Sequence, residues 1–190
     1  SPDMRNQLLD AGVGSLDGVL YTHSHADHVH GLDDLRMIFF NMRTRINVWA
    51  DQSTQNDLIE RFKYAFVQPS ESPYPPILNL NTLEGVTLVE GEGGSVTFIP
   101  FQVKHGNINA LGFRIGPLVY LPDVSEMSKD AWNEVAKAKC WVLDALRRNP
   151  HPSHSHLENS LKWIKKSGIE KAVLTNMHVD LDYETLMNET

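Results

Sequence analysis

The most informative segment of the chain is Thr22-His23-Ser24-His25-Ala26-Asp27-His28, in which three histidines and one aspartate fall within six residues. It begins where a short apolar strand stops, so these side chains would lie on a loop at the carboxyl end of that strand. His23 and His25 point to the same side of an extended segment, whereas Asp27 and His28 turn toward a second position as the chain enters a helix. Imidazole and carboxylate suit Zn²⁺ or Mn²⁺. The alternative is a histidine-rich surface loop, although a match of this kind arises by chance only about once in a thousand such chains.

Strand-like and helix-like segments alternate along the rest of the chain, which predicts an α/β layered domain. A proline-rich loop (Pro69, Pro73, Pro75, Pro76) is predicted to form a surface lid or rim. Strands are predicted at 19–21, 46–50, 86–89, 95–103, 111–115, 118–121, 141–143 and 172–174. Helices are predicted at 33–42, from an N-cap at Ser53 to Phe62, from an N-cap at Ser128 to Ala138, and at 156–166 with Gly168 closing the last one.

Composition bounds the class of protein. With 190 residues, of which 41% are hydrophobic, the chain is predicted to form one globular domain, residues 1–190. Its longest apolar runs, such as residues 37–40, have four residues, far fewer than the ~18 that a membrane span needs. The sequence shows no secretory leader, and Cys140, the only cysteine, is expected to pack as a small hydrophobe. Together these features favour a cytoplasmic protein.

The net charge of −7 argues against a nonspecific nucleic-acid binder, which needs a basic face to displace counterions. A large nucleic acid is therefore not expected as a partner. A small anionic substrate remains compatible with this charge, because bound metal ions would add positive charge locally. Arg36, Arg147 and Arg148 could bind a phosphate or nucleotide, although arginines on a surface are usually solvated.

The His-x-His-x-Asp-His segment, together with the polar residues that follow later strands, resembles the metallo-β-lactamase superfamily over almost the whole chain. This resemblance implies an αββα sandwich of two mixed β-sheets flanked by helices. The family normally has several strands before the histidine-rich loop and one more at the end. Since only 22 residues precede His23 and the chain stops at Thr190, we expect those strands to be missing or unresolved.

The resemblance also implies a second set of metal ligands, each placed after a strand. Taken singly, His105 or His178 could be an ordinary surface histidine. In the expected order they complete a site for two divalent ions, with Zn²⁺ or Mn²⁺ as the first candidates. The first ion would be held by His23, His25 and His105, the second by Asp27, His28 and His178, and both by a bridging Asp123.

Two such ions about 3.5–4 Å apart can share a hydroxide, lower its pKa and hold it for attack. They also neutralise charge that develops on substrate oxygens. This chemistry predicts a hydrolase, but it serves phosphodiesters, thioesters, lactones and β-lactams alike. The substrate has to be inferred from other residues.

Asp144 at the end of a strand and His156 at the start of the next helix resemble the PhnP-like cyclic phosphodiesterases and the tRNA 3′-processing endonucleases. That resemblance implies that His156 contacts the phosphate or protonates the leaving oxygen, with Asp144 as an orienting partner; a helix N-terminus also attracts phosphate. Asp27 is counted with His156 and Asp144 among the catalytic residues. Two alternatives stay open: His154 exchanges roles with His156, or the histidines of this segment only cap the helix or face solvent.

The PhnP-like branch is favoured, because the chain lacks the glycine-rich, basic arm that grips tRNA. It also lacks the Gly-His-Thr-x-Gly pattern of glyoxalase-type thioesterases and has Asp123 where most secreted β-lactamases have cysteine. The predicted substrates are small cyclic phosphates or nucleotide-like phosphodiesters. The rival hypotheses are hydrolysis of a lactone or thioester, and a noncatalytic nucleotide- or metal-binding module. A homodimer is left open.

Overall fold

The computed structural model describes residues 1–189 and divides into two compact units, one of residues 1–95 and one that begins at Val96. Whether the chain acts as one domain stays a prediction. The helices are α1 (Met4–Asp10), α2 (Ala26–Val29), α3 (Leu35–Met42), α4 (Gln52–Phe66), α5 (Lys129–Val135), α6 (Leu157–Ser167) and α7 (Tyr183–Glu189), with a 3₁₀ turn at Leu32–Asp34. The strands are β1 (Val19–Leu20), β2 (Ile46–Ala50), β3 (Leu78–Thr82), β4 (Thr87–Gly91), β5 (Gly94–His105), β6 (Ile108–Ile115), β7 (Leu118–Leu121), β8 (Cys140–Asp144) and β9 (Lys171–Thr175).

The first unit is built on a parallel sheet of three strands in the order β1-β2-β3. Side chains alternate along β2, so that Ile46, Val48 and Ala50 are buried while Asn47 is exposed. The buried face packs against apolar residues of α2, the 3₁₀ turn, α3 and α4. The histidine-rich loop leaves β1 at its carboxyl end, as the sequence predicts.

Helix α4 begins one residue after Asp51, whose carboxylate accepts a hydrogen bond from the backbone N–H of Thr54 at 2.8 Å. Asp51 is therefore the N-cap, and the prediction that Ser53 fills this role is wrong, because Ser53 lies inside the first turn. The predicted end at Phe62 marks a local break: the backbone there is non-helical (φ −129°, ψ 30°), but the helix continues to Phe66.

The second unit is built on a mixed sheet in which β5, β6 and β7 are antiparallel neighbours, whereas β7, β8 and β9 run parallel. Its core holds the buried Trp141 between Trp132 on α5 and strand residues such as Val119 and Leu121. Because β5 and β7 are both antiparallel to β6, they run in the same direction as β8 and β9. The carboxyl ends of all four strands therefore lie at one edge of the sheet.

That edge carries the polar residues that the sequence analysis selected. His105 is the last residue of β5 and Asp144 the last residue of β8, while Asp123 follows β7 by two residues and His178 follows β9 by three. The sheet thus explains why residues far apart in sequence collect at one place within this unit.

The predicted α/β class is confirmed, and most predicted strands and helices are present. The short helices α1 and α7 and the strand β3 were not predicted. The predicted helix cap at Ser128 is confirmed, because the Ser128 hydroxyl accepts a hydrogen bond from Ala131 N–H at 3.1 Å. Within residues 1–189 no strand precedes Val19. Among those residues, no helix has both the length and the apolar character that crossing a bilayer requires.

We predict that Asp51→Ala lowers the free energy of unfolding by about 1 kcal/mol, because the backbone N–H of Thr54 loses its acceptor. Ser53→Ala is the matched control and should change it by less than about 0.5 kcal/mol, since the exposed Ser53 side chain caps nothing. Urea denaturation followed by circular dichroism measures both. An equal loss in the two variants would contradict the assignment of the cap.

Candidate metal centre

In the first unit, the four side chains of the histidine-rich loop lie close together. The ring of His23 is 4.6 Å from that of His25 and 4.4 Å from that of His28, measured between centroids. Asp27 Oδ2 lies 3.2 Å from His28 Nε2. His23 is almost fully buried (2% exposed), whereas His25 and Asp27 are exposed. The sequence motif therefore folds into a compact group of possible ligands.

Helix α4 restrains the histidine-rich loop through hydrogen bonds to Ser24. The Ser24 hydroxyl donates a short hydrogen bond to Asp57, and Arg61 donates to the backbone carbonyl of Ser24. Because Ser24 lies between His23 and His25, these contacts restrain the backbone that carries both histidines. His30, two residues after His28, is exposed and packs its ring 6.1 Å from that of Phe62.

In the second unit, His105 and Asp123 form a buried pair, each 1% exposed, with 3.3 Å between His105 Nε2 and Asp123 Oδ2. His105 Nδ1 donates to the backbone carbonyl of Ser153 at 2.6 Å. Gly106 makes this approach possible: it adopts φ +59°, and a Cβ at this position would lie 2.8 Å from the Cβ of Ser153.

Asp123 is held by a residue that sequence reasoning missed. The side-chain amide of Asn176 donates to Asp123 Oδ1 at 2.9 Å. Asn176 has φ +63° and directly follows β9. Asparagine is one of the few residues that tolerate this left-handed conformation, so an asparagine just past a predicted strand was the available signal.

His178 lies on the loop after β9 and is half exposed. Its Nδ1 donates to the carboxylate of Asp180 at 2.8 Å. Its backbone N–H donates to the carbonyl of Leu146 at 2.7 Å, which fixes the loop against the segment after β8.

The donor set fits divalent cations. The acceptors beside His105 and His178 are a carbonyl and a carboxylate, so Nδ1 carries the proton in both rings and Nε2 presents its lone pair. Histidines that bind metals are typically oriented in this way by an oxygen acceptor. His23 Nδ1 is also 3.0 Å from an oxygen, the hydroxyl of Thr22. Each unit therefore contains imidazole and carboxylate groups suited to Zn²⁺ or Mn²⁺.

Next to His105 lies a further imidazole, that of His154, with 4.5 Å between the ring centroids. His154 Nδ1 is 3.0 Å from Asp144 Oδ2. The expected pairing of Asp144 with His156 is therefore corrected to a pairing with His154, the alternative that the sequence left open.

Backbone hydrogen bonds explain why Asp144 pairs with His154 and not with His156. Ser155 N–H donates to Asp144 Oδ2 at 3.2 Å, and Leu157 N–H donates to the carbonyl of Arg147 at 2.9 Å. These bonds fix the segment so that the His154 ring meets the carboxylate. His156 is the N-cap residue of α6, but its side chain makes no capping hydrogen bond.

Asp144 is fully buried, and burial raises its pKa to about 6, against the opposing effect of the hydrogen bond and charge of His154 and the hydrogen bond from Val124 N–H. The carboxylate accepts from Val124 N–H at 3.1 Å. Its second oxygen, Oδ1, is buried and accepts no hydrogen bond within residues 1–189.

With this geometry established, the family can be identified. A family model described as a beta-lactamase superfamily domain matches residues 1–177. The chain belongs to the beta-lactamase superfamily. Its fold is that of the metallo-β-lactamases, and the resemblance inferred from the histidine-rich motif is confirmed.

Solved structures indicate the branch of the superfamily. The crystal structure of a diphosphatase from the PhnP family is 32% identical, with a TM-score of 0.87, and the match covers 100% of this chain and 71% of that protein. The short form of human tRNase Z is 17% identical with a TM-score of 0.68, covering 92% of this chain and 78% of that protein, which shows the shared fold alone. The predicted likeness to the PhnP-like branch is thereby confirmed.

A curated relative from Porphyromonas gingivalis (strain ATCC BAA-308 / W83) is named an octanoyltransferase. The two sequences are 33% identical over 189 residues, which is 98% of the present chain. The chain spans only 37% of the length of that relative.

The raised pKa of Asp144 predicts a pH-dependent contribution to stability in protein kept metal-free with a chelator. A carboxyl group whose pKa is higher in the folded state than the ordinary 3.8 binds its proton more tightly when folded. Its contribution is fully present below about pH 3.8 and is lost as the pH rises through about 6. We expect the difference in free energy of unfolding between wild type and Asp144→Asn to fall over this range, measured by urea denaturation. A difference that rises with pH would show that the hydrogen bonds to the carboxylate outweigh its burial.

Proposed function

We propose that the chain is a dinuclear metal-dependent hydrolase that cleaves small cyclic phosphates or nucleotide-like phosphodiesters. The coarser part of this statement rests on membership of a superfamily of metal-dependent hydrolases and on the imidazole and carboxylate groups of each unit. The substrate class rests on the residues that follow β8 and on the likeness to a PhnP-family diphosphatase.

We propose that two divalent ions, Zn²⁺ or Mn²⁺, are bound by the set that the sequence predicts, with Asp123 shared between them. When bound, the ions would supply an activated water and neutralise charge on the phosphoryl oxygens. The tautomers fixed at His105 and His178 support this assignment, because both direct the unprotonated nitrogen away from the oxygen partner. The proposed ligands are His23, His25, Asp27, His28, His105, Asp123 and His178.

The observation that carries the substrate class is the pair of His154 and Asp144 beside a proposed ligand, His105. A phosphodiester has a poor leaving group, an alkoxide, that needs a proton as the P–O bond breaks. Thioesters do not share this need to the same degree, because a thiolate leaves readily. A protonatable imidazole next to the ligands therefore favours an ester with an alkoxide leaving group over a thioester.

We assign a separate role to each of these residues. His154 in its protonated form would present Nε2–H to the leaving oxygen, while its Nδ1–H stays bonded to Asp144. The ionised carboxylate stabilises the imidazolium and fixes its orientation, as in other pairs of histidine and carboxylate. His154 is thus the proposed catalytic residue and Asp144 a positioning residue. Asp27 is proposed as a ligand that also borders the attacked phosphorus.

The diphosphatase likeness bears on the bond that is cleaved. That relative is named for hydrolysis of a diphosphate, in which a phosphate oxygen leaves phosphorus. We extend this to the present chain as part of the proposal: the bond that it cleaves is a phosphorus–oxygen bond rather than a carbon–oxygen bond. Cytoplasmic location and self-association stay predictions.

A second candidate function is hydrolysis of an acyl thioester, favoured by one observation. The relative from P. gingivalis, which contains a segment 33% identical to this chain, is named for the transfer of an octanoyl group. If the matching segment acts on the acyl donor or on the acyl product, its presence in the same polypeptide as the transferase would be explained.

We predict that His154→Ala lowers turnover of an alkyl phosphodiester by ~10²-fold or more without lowering metal content, because the leaving oxygen loses its proton donor. His156→Ala is the matched control, two residues away and without a contact to Asp144, and should retain most activity. Hydrolysis with added Mn²⁺ or Zn²⁺ and elemental analysis measure the two effects.

A loss confined to His156→Ala would return the role to His156. The same assays should include an aryl phosphodiester, whose leaving group needs no proton and should rescue His154→Ala. Protein that leaves phosphodiesters intact yet cleaves an octanoyl thioester would favour the second candidate. Metal-loaded protein without any hydrolysis would favour a noncatalytic binding module.

Removal of a ligand should lower the metal content directly. We expect His105→Ala and Asp123→Ala to bind fewer ions per chain than wild type after gel filtration, because each loses a donor that is buried and oriented. His30→Ala is the control, since its exposed ring packs edge-to-face against Phe62 and is not one of the proposed ligands. Unchanged metal content in both ligand variants, measured by plasma mass spectrometry, would refute the ligand assignment.

A further inference from the structure

The first unit contains a groove of about 370 Å³ that the proposed chemistry does not use. Its volume falls in the range of small-molecule sites. Aromatic rings and proline rings dominate its lining, together with one arginine and one serine. The lining residues are Arg36, Phe40, Tyr64, Pro69, Ser72, Tyr74 and Pro75, which we call the aromatic groove.

The rings of the aromatic groove are unusually exposed. Tyr74 is 73% exposed, Phe40 56% and Tyr64 46%. Large aromatic side chains usually bury most of their surface, so three of them around one groove form a surface suited to a flat apolar partner.

Polar groups at the same place are held in fixed positions. The guanidinium of Arg36 bonds Asp33 at 2.7 Å and lies 5.8 Å from the centre of the Tyr64 ring. Burial, and then the nearby Asp33 carboxylate, raise the pKa of the Tyr64 hydroxyl. The groove therefore offers stacking faces beside a carboxylate, a guanidinium and a phenol, which can pair with polar atoms on the edge of a heterocycle.

Both helical walls of the groove are connected to the histidine-rich loop. The wall formed by Arg36 and Phe40 belongs to α3, which follows α2 with only the 3₁₀ turn between them. Arg36 lies eight positions after His28, about 12–16 Å along the chain at the rise of these helices. The wall formed by Tyr64 belongs to α4, one helical turn beyond Arg61, which bonds the carbonyl of Ser24.

We propose that the aromatic groove binds the nucleobase of the substrate, stacked between Tyr74 and Phe40, while the phosphate lies at the histidine-rich loop. This inference rests on the proposed function and narrows its substrate class to nucleotides. Base stacking on aromatic side chains tolerates any base, because every base has a π-face. Stacking thus selects for the presence of a base, whereas discrimination between bases would depend on the polar groups at its edge.

Two other occupants are less consistent with the lining. A proline-rich peptide can also dock on aromatic rings, but its proline residues have no backbone N–H to donate to Asp33. A second copy of this chain would bury the charged Arg36 and Asp33 together with the rings. Both become outcomes of the test.

The experiment measures binding of adenosine, which carries no phosphate, to the metal-free full chain by NMR titration. We expect binding to wild type and a rise in Kd of about 5- to 100-fold in Tyr74→Ala and in Phe40→Ala, the scale of losing one stacked ring. Both side chains are largely exposed, so the fold should persist. Tyr183→Ala, which removes a tyrosine of similar exposure (62%) from α7, is the matched control and should bind like wild type.

A kinetic comparison separates this inference from the proposed function. With a 2′,3′-cyclic adenosine phosphate, Tyr74→Ala should raise KM and leave kcat unchanged, whereas with ethylene phosphate, which has no base, neither should change. If adenosine binds in a Tyr74-dependent way but no phosphodiester is cleaved, the groove assignment stands and the proposed function fails. The inference is overturned if adenosine binding is absent or survives Tyr74→Ala. It is also overturned if a polyproline peptide binds in its place, or if Phe40→Ala alters self-association instead.

Discussion

The arrangement of polar groups in the second unit depends on one buried carboxylate, that of Asp144. Its Oδ2 atom accepts from Val124 N–H, His154 Nδ1 and Ser155 N–H, so one oxygen joins the loop after β7 to the segment before α6. The carbonyl of Asp144 also accepts from the Ser160 hydroxyl at 2.6 Å, which fixes α6 to the same residue. A buried carboxylate is costly unless such partners surround it. The loops that carry the proposed ligand and proton donor are therefore positioned together.

Neighbouring oxygen atoms also fix the orientation of the histidine rings. An imidazole can present either nitrogen, and a metal site needs the correct one to face inward. A backbone carbonyl decides this at His105, and a carboxylate decides it at His178. Because each acceptor keeps the proton on Nδ1, Nε2 is the nitrogen that each ring offers to a cation. The ligand residues alone would not predict this; the oxygen acceptors behind them do.

Much of the fold could be predicted because its signals are local. The histidine-rich motif, the alternation of β2 and the cap at Ser128 all lie within a few residues of the structure that they specify. The pairing of Asp144 with His154 could not be chosen over His156, since two residues on the same extended segment compete and only the backbone contacts of Ser155 and Leu157 decide. Strand β3 escaped prediction because it is a short edge strand in which Asn79 and Asn81 leave only two apolar residues as a signal. The role of Asn176 depends on a contact across 53 residues.

Position 176 is subject to two independent requirements. The backbone occupies left-handed space, which excludes most side chains on steric grounds, and the amide must reach the carboxylate of Asp123. Glycine would satisfy the first requirement without the second, glutamine the second without the first, and aspartate would bring two like charges together. Asparagine alone combines both properties among the common residues. Homologues that keep an aspartate at position 123 should therefore show almost no variation at position 176, and chains that have lost this asparagine should also have lost the aspartate that it contacts.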